Sequence, residues 1–537
     1  MRSEMFSHSS DIRRESVIDA DVCIIGAGCA GITLATELNG SPLKVILLES
    51  GDLEYDEKTQ SLYQGENISA NPLKLEDVRL RYFGGSTNHW HGMCHPLNEI
   101  DMLPRKEIAY PGWPITLNDL IPFYVRAQKV CQLGPFVYDD ENYWRQQMNF
   151  SPLLSGNLLR TSFFQLSPPT RFGAVYREVL KKSANVEVIL NANALELESS
   201  GDADHVTQVR VAHINGNTFW VKAKKFVLSA GGLETPRILL LSNKIQKKGL
   251  GNGHDLVGRY YMDHLANLRS GTLQFIADQS KYPWYFKLGT KVNHLPDTTV
   301  GVLLTPSTEL IKKEGITNFR IMLLPTPEEK GIDSVKSIIS GIKSGHIPDD
   351  LGGHIKNVLS EIDSVTNLAF KNIFHTNKNL LGAREKSTAI TRADIDLNME
   401  QLPNRDSKVS LSGQKDVFGQ NRLKLDWKIS EMDKKTAGKA LETIALECGK
   451  YNLGRVRISD SLKQDTSFET SWHHMGTTRM SVSPTDGVVN VDCKVHGVDN
   501  LFIASSSVFT TGGWANPTLT ITALSIRLAD HLKTLFS

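Results

Sequence analysis

Three glycines near the N-terminus have the spacing of a turn that binds a dinucleotide. They are Gly26, Gly28 and Gly31, and the apolar run from Val22 to Ile25 before them predicts a buried strand. In such a turn Gly26 permits the tight bend, Gly28 lets the backbone approach a pyrophosphate, and Gly31 lets helix and strand pack closely. The N-terminus of the next helix offers free N–H groups to phosphate oxygens. The pattern predicts a nucleotide site, although a structural βαβ unit without a ligand would have the same glycines.

An acidic residue, Glu49, completes this pattern at the end of a second apolar strand from Lys44 to Leu48. In dinucleotide-binding units an acid at this position accepts hydrogen bonds from a ribose hydroxyl. A third buried strand, Phe226 to Leu228, also runs into a glycine, and Pro236 predicts the start of an apolar helix. Because the glycines serve any pyrophosphate, the turn alone leaves the identity of the dinucleotide open.

Three histidines, His89, His91 and His95, follow a glycine-rich loop that contains Gly84 and Gly85. Neither a carboxylate nor a Cys-x-x-Cys pair accompanies the two histidines at i, i+2 spacing, so the sequence predicts no metal site. The glycines and the small polar residues after them predict a loop whose backbone can lie against a flat ligand.

A second group of residues suited to chemistry lies near the C-terminus, from Ser471 to Met480 and around Asn516. Asn516 is a good helix cap, and Pro517 suits the first helical position. Apolar residues at helical spacing from Ile521 to Leu532 give the following helix a buried stripe. A helix that starts there presents its positive dipole end to whatever lies in front of it.

Length and composition are those of a large globular protein. The 537 residues predict two or three domains, and 40% are hydrophobic. A net charge of +1 gives no support for a nucleic acid or an anionic membrane surface as partner. The N-terminal stretch is polar, and no run approaches the roughly 18 consecutive apolar residues of a membrane helix. The six cysteines lack Cys-x-x-Cys spacing, so we expect reduced thiols in a cytoplasmic protein.

The chain resembles the glucose–methanol–choline (GMC) flavoprotein oxidoreductases over nearly its whole length. The resemblance rests on blocks that occur in the family's order, namely the glycine turn with Glu49, Gly84–Trp90, Gly231–Arg237, Val257–His264, the H-x-x-G-T at His473 and the N-P-T at Asn516. The motifs are most similar to the sugar-acting branch, which includes gluconate and fructose dehydrogenase flavoprotein subunits and pyranose oxidases. Ser481, Ser505 and Thr510 depart from the family pattern and leave the substrate open.

The resemblance implies an α/β fold with two domains. A discontinuous Rossmann-type FAD-binding domain would comprise residues 16–265 and 455–537, with part of 60–160 covering the flavin and substrate side. Residues 266–454 would form a substrate domain built on a large antiparallel sheet flanked by helices, with a helical insert at about 328–381. The cofactor would be FAD rather than NAD, bound noncovalently or through one histidine. His89 matches the position of that link in some members, and histidine also stands there in members without one.

Family motifs also imply roles for individual residues. His473 would be the base that removes the hydroxyl proton while a hydride passes to flavin N5, a task that suits the pKa of histidine. Asn516 would hold the substrate oxygen, although a plain helix cap is the alternative. His474 and Trp514 are candidates for contact with the substrate, and an ordinary packed histidine is the alternative for His474. The residues expected to contact the cofactor are Gly26, Gly28, Gly31, Glu49, Gly84, Gly85, Ser86, Asn88, His89, Trp90, Ala194, Ala230, Ser506, Pro517 and Thr518.

Together these features predict oxidation of a CH–OH group of a sugar, amino sugar, glycoside or polyol. The electron acceptor would be a quinone, a redox carrier or O₂, and the branch favours a dehydrogenase over an oxidase. The alternatives are an oxidase of a non-sugar alcohol, a lyase that keeps FAD as a structural group, and a flavin-binding protein without catalytic activity. The oligomeric state is left open.

Overall fold

The computed structural model of this chain describes residues 5–70, 72–326, 391–459 and 468–537. The helical insert expected at about 328–381 lies outside the described residues. The strands, in chain order, are β1 (Phe6–His8), β2 (Val17–Ile25), β3 (Val45–Leu48), β4 (Gly65–Asn67), β5 (Met93–Cys94), β6 (Leu159–Leu166), β7 (Val186–Leu190), β8 (Asn193–Ser199), β9 (Val206–Ala212), β10 (Thr218–Leu228), β11 (Leu265–Phe275), β12 (Thr290–Lys291), β13 (Thr299–Pro306), β14 (Phe319–Thr326), β15 (Arg392–Met399), β16 (Lys408–Lys415), β17 (Asn421–Asp426), β18 (Gly454–Ile458), β19 (Glu469–Thr470) and β20 (Leu501–Ile503). The α-helices are α1 (Cys29–Leu38), α2 (Glu57–Gln60), α3 (Glu99–Met102), α4 (Leu117–Val130), α5 (Glu141–Met148), α6 (Phe172–Lys181), α7 (Gly231–Leu241), α8 (Thr308–Glu314), α9 (Glu431–Lys450) and α10 (Thr518–Leu535).

The first sheet is mostly parallel and has the strand order β1-β7-β3-β2-β10-β9-β8, with β20 also beside β10. Strands β1, β7, β3, β2, β10 and β20 run parallel, and β9 and β8 continue the sheet antiparallel. The apolar runs that end at Ile25, Leu48 and Leu228 are buried, as the sequence predicts. Strands β3 and β10 flank β2 on opposite sides. In open α/β sheets the crevice beyond the carboxyl ends of such strands is the usual ligand site.

Helix α7 begins earlier than the sequence predicts. It starts at Gly231, so Pro236 lies inside the helix instead of opening it. A proline has no N–H to donate to the carbonyl four residues before it, here Gly232 O. The Thr477 hydroxyl donates to that carbonyl at 2.6 Å. The helix therefore tolerates the proline because a side chain from the C-terminal segment replaces the missing donor.

The second sheet has the strand order β18-β11-β15-β14-β13-β6-β5, and its neighbouring strands pair antiparallel. Helix α9 packs against it and buries Ala437, Ala440, Leu441 and Ile444. A mixed α/β fold with a Rossmann-type sheet and a large antiparallel sheet flanked by helices is thereby confirmed. The antiparallel sheet also takes strands from outside residues 266–454, and the domain boundaries stay a prediction.

Three further features concern the residues that the structure describes. All six cysteines are free, and all except Cys29 are buried. Within the described ranges, no helix has the length and apolar character needed to span a membrane. In the same ranges, no group of three or more His, Cys, Asp and Glu side chains is arranged to hold a metal ion.

Candidate active site

A cavity of about 490 Å³ lies at the carboxyl ends of β2, β3 and β10. Gly26, Glu49 and Ser229, each the first residue after one of these strands, line it. Part of residues 85–92 and all of residues 471–474 line the same cavity. The fold thus brings the glycine turn and the C-terminal histidines, which are far apart in the sequence, to one site.

Each glycine of the turn has a different environment. Gly26 has a φ of +104°, which favours glycine, and a Cβ there would lie 2.7 Å from Ser229 O. A Cβ at Gly31 would lie 1.9 Å from Gly26 O, so α1 meets the turn at backbone distance. At Gly28 a Cβ would have no neighbour within 4 Å, and this residue lines the cavity. The open backbone of Gly28 at the N-terminus of α1 fits an approaching pyrophosphate.

Glu49 is 4% exposed, and its carboxylate accepts hydrogen bonds from two backbone segments that meet at the cavity. Oε2 accepts a hydrogen bond from Ala27 N–H at 2.9 Å, and Oε1 accepts one from Gly51 N–H at 2.8 Å. A carboxylate has about four lone-pair sites, so acceptor capacity is left for a ligand hydroxyl. The ribose contact stays a prediction.

The loop that contains Gly84 packs directly on the glycine turn. Gly84 N–H donates to Ala27 O at 2.8 Å, and a Cβ at Gly85 would lie 3.4 Å from Gly28 Cα. The predicted residues of this loop that line the cavity are Gly85, Ser86, His89 and Trp90. Gly84 and Asn88 are not among the lining residues; Asn88 donates to Phe83 O at 2.8 Å and thereby fixes the loop.

Two aromatic residues of this loop are held by specific hydrogen bonds. His89 Nε2 lies 2.8 Å from the hydroxyl of Tyr82, and Trp90 Nε1–H donates to Thr170 O at 2.8 Å. Both side chains are therefore fixed at the cavity wall. A covalent link from His89 to FAD stays a prediction.

Further predicted residues line the cavity from other elements, namely Ala194, Ala230, Ser506, Pro517 and Thr518. Ser506 Oγ–H donates to His474 O at 2.6 Å and connects its turn to the histidine segment.

The structure does not support the predicted contact of Trp514 with the substrate. Trp514 is fully buried, Nε1–H donates to Asn98 Oδ1 at 2.8 Å, and the ring lies 4.4 Å from that of His95. The side chain points into the core and does not line the cavity. Closeness in sequence to Asn516 did not determine the direction of this side chain.

His473 lines the cavity and is positioned from two sides. Its backbone N–H donates to the buried carboxylate of Asp263 at 2.9 Å, and its Nδ1 lies 2.9 Å from Nδ1 of His264. Burial, His264 and Arg320 lower the pKa of His473 well below its usual value. His473 is therefore neutral at physiological pH and able to accept a proton.

Asp263 and His264 are functional candidates that motif reasoning did not assign, although both lie in the family block Val257–His264. His264 is fully buried, and its Nε2 lies 2.8 Å from Gly513 O. Burial is the main reason why the pKa of His264 is lowered to about 4. The sequence signal was the Asp263-His264 pair itself, whose partners lie more than 200 residues away.

Asn516 lines the cavity, and its buried Oδ1 has no hydrogen-bond partner. The expected cap is not formed, because α10 begins at Thr518 with Pro517 as its N-cap and without a side-chain cap. A buried amide oxygen without a partner is costly, so this atom favours a ligand contact over a structural role.

His474 lines the cavity, with its ring 6.1 Å from the ring of Tyr261. Burial, with a smaller effect of Arg79, lowers the pKa of His474 to about 3. The side chain is therefore a neutral wall of the site.

Sequence reasoning also missed an exposed aromatic residue and a buried ionic cluster. Trp472 lines the cavity, is 57% exposed and has a left-handed backbone with φ +63°. Arg79 and Arg81 line the cavity with Glu234, at N–O distances of 3.4 Å and 3.8 Å from its carboxylate. Both guanidinium groups stack on the ring of Tyr63.

The fold and site combine a sheet of the Rossmann type with a cavity that contains a neutral, positioned histidine. Residues 403–525 match the family model described as GMC oxidoreductase. The chain is 24% identical to 2-methyl-1,2-propanediol dehydrogenase of Mycolicibacterium austroafricanum, with 97% of this chain and 96% of that protein covered. It is 22% identical to the fructose dehydrogenase large subunit of Gluconobacter japonicus, with coverage of 96% and 98%. Among solved structures it resembles pyridoxine 4-oxidase from Mesorbium loti, with a TM-score of 0.57, 16% identity and coverage of 95% and 98%.

Residues 403–525 thus have the sequence pattern of the GMC oxidoreductase family. The family implies FAD, and the site fits this cofactor. The open backbone at Gly28 suits the diphosphate, and the unpartnered Oδ1 of Asn516 is an acceptor with free capacity at the cavity wall.

Proposed function

We propose that this protein is an FAD-dependent enzyme that oxidises a CH–OH group of a sugar, amino sugar, glycoside or polyol. The observation that carries the proposal is the neutral His473, which lines the same cavity as Asn516 and the glycine turn. Bound FAD supplies the two-electron acceptor that oxidation of an alcohol requires.

His473 takes the hydroxyl proton of the substrate in this proposal. A base must be unprotonated at the working pH, and the lowered pKa of His473 keeps the imidazole neutral. Asn516 Nδ2–H donates to the substrate oxygen and orients the hydroxyl toward His473. Asn516 cannot act as the base, because the lone pair of its amide nitrogen is delocalised into the carbonyl group.

FAD would be held by the glycine turn, Glu49 and the loop that contains Gly85 and Ser86. The start of α10 at Thr518 lies at the cavity wall with its positive dipole end, which would favour negative charge on a bound flavin. Noncovalent binding is the expectation. A link at His89 would leave the yellow colour with acid-precipitated protein, whereas release of the colour to the supernatant would exclude it.

The relatives and the wall of the cavity support the proposed substrate class. Two relatives that match nearly the whole chain are named for a diol and for fructose. Trp472 offers an exposed aromatic face beside His473 on which the apolar face of a sugar ring can stack. Both relatives are dehydrogenases by name, so we favour a quinone or redox carrier over O₂ as electron acceptor.

An anaerobic stopped-flow screen tests this function. The holoenzyme is mixed with monosaccharides, glycosides, amino sugars, polyols and simple aliphatic alcohols, and the oxidised flavin absorbance is followed. Bleaching by a sugar or polyol is the expected result, and slow recovery on admission of air would favour a dehydrogenase. Bleaching by simple alcohols alone would contradict the sugar assignment. A flavin that stays oxidised with the whole panel would contradict the proposed function and favour a lyase or a structural flavin.

A further inference from the structure

A continuous series of hydrogen bonds connects His473 to a buried ion pair through His264 and Gly513. We infer that His264 is a positioning residue that fixes His473 as the tautomer with its proton on Nδ1 and a free lone pair on Nε2. This inference rests on the proposed function, in which His473 is the base.

The direction of each hydrogen bond follows from the one group whose role cannot change. Gly513 O is a carbonyl oxygen and can only accept, so Nε2 of His264, at 2.8 Å, carries a proton. In a neutral imidazole the second nitrogen is then an acceptor, and in His264 that atom is Nδ1. His473 Nδ1 lies 2.9 Å from it and must therefore donate. Nε2 of His473 is left without a proton.

Gly513 is itself held firmly on its other side. Its N–H donates to Glu400 Oε1 at 2.9 Å, and Glu400 Oε2 pairs with Arg105 at 2.8 Å. Glu400 and Arg105 are at most 3% exposed. A Cβ on Gly513 would lie 2.5 Å from the Asp101 carboxylate, so the backbone passes where a side chain does not fit. The carbonyl that orients His264 is thus anchored in the core.

Burial, with a smaller contribution from the charged and titratable groups around them, keeps the two imidazoles neutral. Arg320 on β14 is 7% exposed and lowers the pKa of both His264 and His473. His474 and His91 lower the pKa of His473 further. Glu400 acts in the opposite direction on His264, and burial outweighs it.

The arrangement has a chemical consequence for proton transfer. When Nε2 of His473 takes the hydroxyl proton, the ring becomes a cation that still donates from Nδ1 to His264. A fixed acceptor orients a catalytic imidazole and fixes its tautomer, as the buried carboxylate does in a serine protease triad. Here a neutral imidazole performs this role, and its own orientation depends on Gly513.

The direct test is nitrogen NMR of the oxidised holoenzyme labelled with ¹⁵N-histidine. The His473 signals are assigned by their loss in His473→Gln, and we expect Nδ1 protonated and Nε2 unprotonated. In His264→Leu the preference for the Nδ1 proton is lost, whereas His264→Asn keeps an acceptor oxygen near the position of Nδ1. His95→Asn is the matched control, because His95 is also buried and bonds a backbone carbonyl; it leaves the His473 signals unchanged.

The pH profile of anaerobic flavin reduction provides the second readout. His264→Leu is expected to slow reduction about 10–100-fold, the usual effect of losing a supporting partner, and to shift the apparent pKa of the profile. His264→Asn restores most of the rate, which a purely structural role of His264 would not predict. A wild-type spectrum with the proton on Nε2, or a His264→Leu profile equal to that of the wild type, would overturn the inference.

The two proposals fail in different ways. If no alcohol reduces the flavin, the proposed function fails, and the nitrogen spectrum still reports the tautomer of His473. If an alcohol reduces the flavin but the proton lies on Nε2, only the tautomer assignment fails. His264→Asn and the wild-type spectrum keep the test decisive even if His264→Leu does not fold.

Discussion

At the scale of residues, the segment from Thr470 to His474 is held in an unusual backbone conformation. Trp472 has a positive φ, which is rare for a bulky side chain and costs on the order of 1–3 kcal/mol. Its N–H donates to Thr470 Oγ1 at 2.9 Å, and the next N–H donates to Asp263. These hydrogen bonds stabilise a turn that exposes the indole of Trp472 and directs His473 to the cavity. Strain of this kind is frequent where a site must be prepared in advance.

Replacement of Trp472 tests its role as a platform for the substrate. In Trp472→Ala we expect the apparent Kd of a sugar substrate to rise about tenfold, because one stacked aromatic contact of about 1–1.5 kcal/mol is lost. The limiting rate of flavin reduction should change little, since the chemistry depends on His473. Kd and limiting rate are obtained from stopped-flow traces at several sugar concentrations.

Trp472→Phe is the matched control, because it keeps an aromatic face and should retain most of the affinity. An unchanged Kd in Trp472→Ala would contradict the stacking role and leave this side chain without an assigned function.

Residue types predicted the location of the site better than they predicted its internal contacts. The glycine turn, His473 and Asn516 were assigned by spacing and family resemblance, and the fold brings them to one cavity. His264 lies within a family motif, but the motif does not reveal its role, because its hydrogen bond to His473 spans 209 residues and depends on tertiary structure. Trp514 was misassigned for the complementary reason: its neighbours in sequence do not fix its rotamer.

At the scale of elements, the contact between α1 and β2 separates the structural glycine from the binding glycine. Gly31 lies against Gly26 O, whereas Gly28 faces open space with an ordinary φ of −77°. An alanine at Gly31 should therefore impair folding, whereas an alanine at Gly28 should impair binding of FAD.

Gly28→Ala should fold normally and lose FAD. An alanine fits the backbone of Gly28, but its methyl group occupies the space where the diphosphate approaches. Gly31→Ala should lower stability by about 1–3 kcal/mol or more, because its methyl group would overlap Gly26 O. Far-UV circular dichroism, the thermal midpoint and bound FAD per chain distinguish the two. Full FAD content in Gly28→Ala would contradict the placement of the diphosphate.

The boundaries of elements show where sequence patterns were insufficient. Pro236 marks a helix start by its chemistry, but the Thr477 hydroxyl replaces the donor it lacks and α7 begins at Gly231. Asn516 is of a residue type that is favoured as a helix cap, yet its Oδ1 stays without a partner and Pro517 is the N-cap. In both cases a contact from a distant segment, or a site that needs the side chain, outweighs local preference.

At the scale of the whole molecule, buried neutral histidines make stability depend on pH. The folded pKa of His474 is about 3, against about 6.5 in an unfolded chain. Below pH 6.5 the unfolded chain binds a proton that the folded chain does not, so stability falls as pH falls. Asp101 and Asp263, whose pKa values burial raises to about 7 and about 6, act in the opposite direction.

His474→Gln isolates this contribution, because glutamine does not titrate. From pH 7 to pH 5 the wild type should lose up to about 2 kcal/mol more of its free energy of unfolding than the variant does. Urea unfolding of both proteins at the two pH values measures the difference. Equal losses in both proteins would contradict a neutral, buried His474.

Fold class was the most predictable property of the molecule. Apolar runs at Ile25, Leu48 and Leu228 marked the strands of the first sheet, and the family blocks implied the second. The partition into domains was less predictable, because β5, β6, β19 and most of β18 in the antiparallel sheet come from outside residues 266–454. Pairing between distant strands has no short-range signal in the sequence.

The central claim is that His473 is the base in oxidation of an alcohol. The most direct test is anaerobic reduction of His473→Ala by the best sugar or polyol of the screen, with bound FAD measured in the same preparation. We predict full FAD content and flavin reduction slowed about 10²–10⁴-fold, the usual contribution of a general base. Flavin reduction at the wild-type rate, with FAD retained, would contradict the account.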